Sequence, residues 1–239
     1  SEYNTESWMA RAMYNYDNRY FAYGSIVGQG SSAFHPDHRW GVFWSASAGW
    51  MMSKEKWFKA DWVDELKLKA SYGENGNDLG MRYSYYYTNR YSIVNSDNNI
   101  ALTPSGTKGN EELTWEKNAK FNAGIDFSLF KGRLTGTMEY YNNRTEDMLA
   151  TIPYPPTLGY TSALANVGNM SNQGFEVELR GDIIRTSDFN WNIYANISTN
   201  SNKITKLHEE RKKQEYDGYW GYSSGSYYYT EGLSRYTYF

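Results

Sequence analysis

Cysteine is absent from the 239-residue sequence and proline occurs only five times. The first absence excludes a disulfide framework, thiol catalysis and thiolate-held zinc. With so little proline, no Pro/Gly-rich linker divides the chain, and one continuous sheet is the expected organisation. An excess of positive charge is also missing: 24 Lys and Arg against 27 Asp and Glu leave a net charge of −3. That balance argues against a nucleic-acid partner, because phosphate binding needs a basic patch. No run of apolar residues approaches the ~18 needed for a membrane-spanning helix. The chain opens Ser1-Glu2-Tyr3-Asn4, without an initiator Met or a basic-then-apolar leader, and the expectation is a segment that begins within a longer protein.

What the sequence has in quantity is aromatic: 24 Tyr, 9 Trp and 10 Phe. Such side chains suit a pleated, half-buried surface. Mean hydropathy is −0.78, a low value that excludes only helical membrane proteins. Strands of a membrane barrel alternate lipid-facing apolar with lumen-facing polar residues, which keeps the average low.

Alternation is the decisive pattern. Eight segments sort apolar from polar residues with period two. Trp8, Ala10, Ala12, Tyr14 and Tyr16 lead into a tight turn at Asp17-Asn18, and Tyr20 to Val27 runs back. Trp44, Ala46, Ala48 and Trp50 oppose Ser45, Ser47 and Gly49. Leu66, Leu68, Ala70 and Tyr72 oppose Lys67, Lys69, Ser71 and Gly73. The longest clean example sets Phe121, Ala123, Ile125, Phe127 and Leu129 against Lys120, Asn122, Gly124, Asp126 and Ser128. After Lys131-Gly132, Leu134, Gly136, Met138 and Tyr140 return. Phe175, Val177 and Leu179 oppose Glu176, Glu178 and Arg180; Trp191, Ile193, Ala195 and Ile197 oppose Asn190, Asn192, Tyr194 and Asn196. A helix of period 3.6 would scramble this sorting.

The links alternate too. Short ones at 17–18, 131–132 and 185–188, with a moderate one at 53–64, are interleaved with long ones at 28–41, 75–113 and 143–172, and a long tail follows 202. Short periplasmic turns and long outer loops mark an outer-membrane barrel. Two aromatic girdles are then expected at the lipid headgroups. Tyr14, Tyr16, Tyr20, Trp50, Trp62, Phe127, Phe189 and Trp191 fall at the short-link end. Trp8, Trp44, Tyr72, Trp115 and Tyr140 fall at the other. Residues 206–229, charged and then rich in Gly, Ser and Tyr, read as a loop. The terminal Tyr238-Phe239 resembles a barrel-closing signal, but the residues before it do not alternate.

The wording of the segments resembles one family. Asp17-Asn18-Arg19-Tyr20, Gly30-Ser31-Ser32-Ala33-Phe34, Arg39-Trp40-Gly41-Val42-Phe43 and Ser47-Ala48-Gly49-Trp50 are similar to SusC/RagA-like TonB-dependent outer-membrane transporters. So are Leu66-Lys67-Leu68-Lys69-Ala70-Ser71-Tyr72-Gly73, Leu113-Thr114-Trp115-Glu116-Lys117, Glu139-Tyr140-Tyr141-Asn142 and Asn172-Gln173-Gly174-Phe175-Glu176. Their order and spacing cover roughly residues 10–205. The resemblance implies an all-β, antiparallel transmembrane barrel of about 22 strands, of which eight are roughly a third. It further implies a plug, a TonB-contacting segment and a SusD-like surface lipoprotein, with import of oligosaccharides or peptides across the outer membrane. Neither plug nor TonB-contacting segment matches anything in this stretch, so residues 1–239 read as one partial, multi-pass barrel domain.

No catalytic motif stands out, and no cofactor or metal is expected. His35-Pro36-Asp37-His38 offers two imidazoles and a carboxylate, but not at an established ligand spacing. Glu176 and Glu178 lie two apart, near the close separation that retaining glycosidases use, yet a charged lumen wall accounts for them as well. The ligand-contact candidates are loop aromatics: Tyr83, Tyr85 and Tyr87, then Trp220, Tyr222 and Tyr228, whose faces suit sugar rings or a partner. The lumen-lining candidates are Asn122, Glu176, Glu178, Asn190 and Asn192. Two rival readings remain open at this stage. One is a self-contained eight-stranded barrel serving as anchor or adhesin; the other is a soluble β-rich carbohydrate-active enzyme.

Overall fold

The structure is a computed structural model, and it describes residues 3–78, 85–96, 99–104 and 106–238. Tyr83 and Phe239 lie outside the described residues. Four long strands come first: β1 (Thr5–Tyr16), β2 (Tyr20–Ser31), β3 (Trp40–Met51) and β4 (Val63–Asn77). The next link carries β5 (Tyr91–Ser96), β6 (Asn99–Pro104) and β7 (Gly106–Lys108). Two more long strands follow, β8 (Glu116–Leu129) and β9 (Leu134–Glu146), then β10 (Leu149–Pro153) and β11 (Tyr160–Asn166) in the link after them. The wall ends with β12 (Gly168–Arg185), β13 (Asn190–Ser198) and β14 (Ser201–Leu207). Last come β15 (Gln214–Tyr216), β16 (Tyr219–Ser224) and β17 (Tyr227–Thr230).

The main sheet runs β1-β2-β3-β4-β8-β9-β12-β13, with β14 also on β12. Every pairing in it is antiparallel. β13 and β14 form one line: Glu176 pairs Ser198 and Gln173 pairs Ser201 in the same register. At the break between them, the Thr199 N–H donates to the Phe175 carbonyl at 2.8 Å and the Thr199 hydroxyl accepts from the Phe175 N–H at 3.0 Å. The wall therefore has the eight strand positions that alternation predicts. It is open: among the described residues β1 pairs only β2, and β13 and β14 pair only β12.

The turns at the short-link end follow from residue type. Asp17 and Asn18 have φ of 52° and 50°, and the Arg19 N–H closes on the Tyr16 carbonyl at 2.9 Å. Asp and Asn tolerate this left-handed region better than other side chains. The β8–β9 turn ends on Gly132 at φ 75°.

Four expectations need correction. The sheet is not single, since the long links build three small sheets of their own: β10-β11-β7, β15-β16-β17 and β5-β6. Their strands are too short to cross a bilayer, yet long enough to pair locally. The expected long link at 28–41 shrinks to 32–39, because β2 and β3 continue above the apolar band. The tail is not a loop, since β14 runs to Leu207 and β15–β17 follow. Trp115 is no girdle residue. It is buried with Phe34, Phe43, Leu113, Leu149 and Leu164 in a core where the outer links meet the top of β3, its ring 5.2 Å from that of Phe34. Its indole N–H donates to the Arg39 carbonyl at 3.0 Å.

Candidate functional site

The pairing register carries one apolar face across all eight strand positions. Trp8 faces Gly28; Ile26 faces Trp44; Leu68 faces both Trp50 and Ile125; Met138 faces both Ile125 and Val177; Val177 faces Ile197. Many of these side chains are exposed, Trp8 at 51 % and Ile197 at 69 %. On β4 this face has no charge between Asp64 and Glu74. Those ten steps span about 33 Å at ~3.3 Å each, or roughly 25 Å along the normal for a strand tilted about 40°. That is the height of the apolar band of an outer-membrane barrel. Rings cluster at both margins: Trp62 stacks on Phe130 at 5.7 Å and Tyr14 on Tyr16 at 6.5 Å at one end. Trp44 meets Tyr72 at 5.0 Å and Tyr140 meets Phe175 at 5.1 Å toward the other.

The opposite face is polar. Its centre is Lys69, whose ammonium lies 2.9 Å from Asp126 and 3.3 Å from Glu139. The Thr137 hydroxyl donates to the same Asp126 carboxylate at 2.9 Å. Alternation had already put Lys69 and Asp126 on this side, but only the register joins three strands in one ion cluster. The five lumen-lining candidates all fall on this face without converging. Asn122 sits between Ser71 and Tyr141. Glu176 lies between Glu139 and Ser198, and Glu178 between Thr137 and Asn196. Asn192 pairs with Asp182, and Asn190 with Arg185 at the lower margin.

The loop aromatics divide. Tyr85 and Tyr87 meet edge to face at 5.9 Å, and Tyr87 packs its ring 5.6 Å from His35. Trp220 is 54 % exposed. Tyr222 stacks on Tyr229 at 4.9 Å with the Arg211 guanidinium 4.6 Å from its ring, so much of its face is already covered. Tyr228 is corrected as a contact residue: it is buried, and its hydroxyl serves the carbonyls of Gln214 and Tyr219 at 2.8 and 2.9 Å. It holds the β15–β17 sheet together. His35 and His38 do not act jointly: His35 faces Asp37 at 3.4 Å, while His38 faces Glu112 at 3.7 Å. No group of three or more His, Cys, Asp or Glu placed to hold a metal occurs among the described residues.

Long antiparallel strands with an uncharged outer band and a polar inner face are the construction of a transmembrane β-barrel wall. The chain matches the family described as TonB dependent receptor-like, beta-barrel over residues 2–238, and it belongs to that family. It is 35% identical over 230 residues to the TonB-dependent receptor P39 of Formosa agariphila, covering 95% of this chain and 21% of that receptor. To the TonB-dependent receptor SusC of Bacteroides thetaiotaomicron it is 33% identical over 208 residues, covering 84% and 21%. Among solved structures it superposes on the RagAB peptide importer in its open-open state with a TM-score of 0.84 at 28% identity, covering 97% of this chain and 24% of that one. The chain thus spans about a fifth of the length of the curated relatives it matches. Proteins of this family are outer-membrane β-barrels.

Proposed function

We propose that this chain is a section of the barrel wall of an outer-membrane importer driven through TonB, taking up oligosaccharide or peptide with a SusD-type surface lipoprotein. The observation that carries the reading is the two-faced wall, eight strand positions wide, with an uncharged band roughly 25 Å high on one side and the Lys69–Asp126–Glu139 cluster on the other. The likeness to SusC and to a structure named as a peptide importer supports the transport role and leaves both substrate classes in play. Energy coupling through TonB would draw on segments other than this stretch of wall.

In this reading the chain passes the membrane eight times, and Asn122, Glu176, Glu178, Asn190 and Asn192 line the lumen. Tyr85, Tyr87, Trp220 and Tyr222 are the loop positions proposed to meet substrate or lipoprotein. The role is binding and passage, not bond breaking: Glu176 and Glu178 stand exposed on one strand. The open edges of β1 and β13 weigh against a self-contained eight-stranded barrel, since long unpaired edges recruit other strands.

The test is spin labelling of the full-length protein in outer-membrane vesicles. Labels at Leu68, Ala123, Ile125 and Ile193 should be relaxed by oxygen dissolved in lipid. Labels at Asn122, Glu178 and Asn192 should respond to an aqueous nickel chelate. Aqueous accessibility at Ile125 and Ile193 would sink the reading.

A further inference from the structure

The apolar outer face does not end in the same way all round the wall. Above the band on β1, β2 and β3, its outward positions are Glu6, Trp8, Gly28, Gly30, Trp40 and Val42, with an acid and no cation among them. On β8, β9 and β14 the same face carries Lys117, Arg144 and Lys203, all exposed. The register fixes their side. Phe121 meets Asn142 and Ala119 meets Arg144, and Arg144, Ser171 and Lys203 form one row across β9, β12 and β14. Beside that row lies a hollow of about 270 Å³, whose lining includes Asn142, Arg144, Glu146, Ser171 and Gln173.

The hollow sits directly on the girdle. Tyr140 and Phe175 pair beneath it, and the Tyr140 hydroxyl donates to Gln173 at its lower lip at 3.3 Å. Arg144 follows Tyr140 on the same face, about 13 Å further along the strand or roughly 10 Å up the membrane normal. The head-group layer above the hydrocarbon is roughly 5–8 Å deep, and long cationic side chains lean toward it. Among the described residues no carboxylate lies within 4.0 Å of Lys117, Arg144 or Lys203. Glu146 faces Lys117 in register without reaching it. Glu74, in the row of Arg144 beyond Ala119, accepts the Tyr72 hydroxyl at 2.7 Å. Unpaired cations grouped at a bilayer surface recruit anionic head groups.

We propose that this hollow, with Lys117, Arg144 and Lys203 around it, is a seat for the phosphorylated head group of an outer-leaflet glycolipid. The occupant is a lipid because the site continues upward from the lipid-facing band and opens outward, away from the lumen. Aromatic rings border it below, where acyl chains and sugar faces pack. A guanidinium fork flanked by two ammonium groups matches the oxygens of a phosphate monoester. The inference goes beyond the import role. It rests on the outward face meeting lipid, which the labels at Ile125 and Ile193 test separately.

The test titrates the full-length protein in detergent with monophosphoryl lipid A and, in parallel, with its dephosphorylated form, counting bound lipid by native mass spectrometry. The phosphorylated form should bind on the order of ten-fold more tightly. Arg144→Gln and Lys203→Gln should each weaken it about five-fold. The triple variant with Lys117→Gln should erase the difference between the two lipids. Lys120→Gln, which removes a cation from the polar face of β8, should change nothing, and heat-modifiable migration reports that each variant is folded. Equal binding of the two lipids, or unchanged affinity in the triple variant, overturns the proposal. So does displacement of the lipid by millimolar inorganic phosphate, the mark of a simple anion site. A triple variant that loses self-association but keeps its lipid would assign the patch to a second copy of the chain, and the proposal would fall.

Discussion

Trp8 lies across Gly28 on the neighbouring strand so closely that a Cβ on the glycine would fall 2.3 Å from the indole ring. The two are direct partners in the β1–β2 register and share the outward face. A large ring covering a strand glycine restores the surface that the glycine fails to supply. Gly28→Ala should therefore push the indole aside and lower stability by about 1 kcal/mol, the low end for overpacking because the ring is half free to move. In the Trp8→Ala background the same change should be nearly neutral. Urea unfolding of the full-length protein in vesicles measures both, and additive effects would contradict the contact.

Glu55, in the β3–β4 link, gathers three donors from the turn end. It accepts from the Tyr20 hydroxyl at 2.5 Å, the Trp50 indole at 3.0 Å and Arg19 at 3.3 Å. The Tyr20 hydrogen bond above all, then those of Trp50 and Arg19, hold its carboxyl below the usual carboxylate value of 4.5. A depressed pKa means that the stabilisation is fully present above the unfolded value and is lost as pH falls through the folded one. Thermal midpoints of the protein and of Glu55→Gln should differ at pH 7 and converge below about pH 4.5. A gap that stays constant into acid would show that the carboxylate is not the anchor.

Legibility followed the membrane. Between Leu66 and Tyr72, or Phe121 and Phe127, lipid demands apolar residues at every second position, so the strands could be read directly. Above the band that demand ends. Ser171 to Gln173 continue β12 with polar residues on both faces, and nothing local separates them from loop. Trp115 was misplaced because a girdle tryptophan and a core tryptophan look alike in sequence; only its packing on Phe34 and Phe43 distinguishes them. The tail did carry a signal. Asp217-Gly218, with φ of 50° and 80°, makes the β15–β16 turn, and such a pair between aromatic runs is a hairpin mark. At the polar face each charge was assigned to its side, but Lys69 met Asp126 and Glu139 only once three strands were in register.

The outer core makes a separate prediction. Trp115→Ala would empty a site between Phe34, Phe43 and Leu113, a loss of about 3–5 kcal/mol for a buried tryptophan. That core joins links to strand tops and stands apart from the apolar band. The barrel should therefore keep its heat-modifiable migration on gels while cleavage within residues 32–39 and 109–114 rises. Simultaneous loss of heat modifiability would mean that the links and the wall unfold as one unit.

Lys69 poses the sharpest test of the inner face. Its removal leaves Asp126 and Glu139 without the cation between them, and breaking one partner of a paired cluster costs more than the pair contributes. All three side chains are about one-third exposed or less, so solvent screens part of the repulsion. Lys69→Met should cost about 1–2 kcal/mol at neutral pH, and Asp126→Asn or Glu139→Gln in that background should restore part of it. Denaturant midpoints of the single and double variants at pH 7 give the coupling directly. Additive losses would show that Lys69 acts by packing alone.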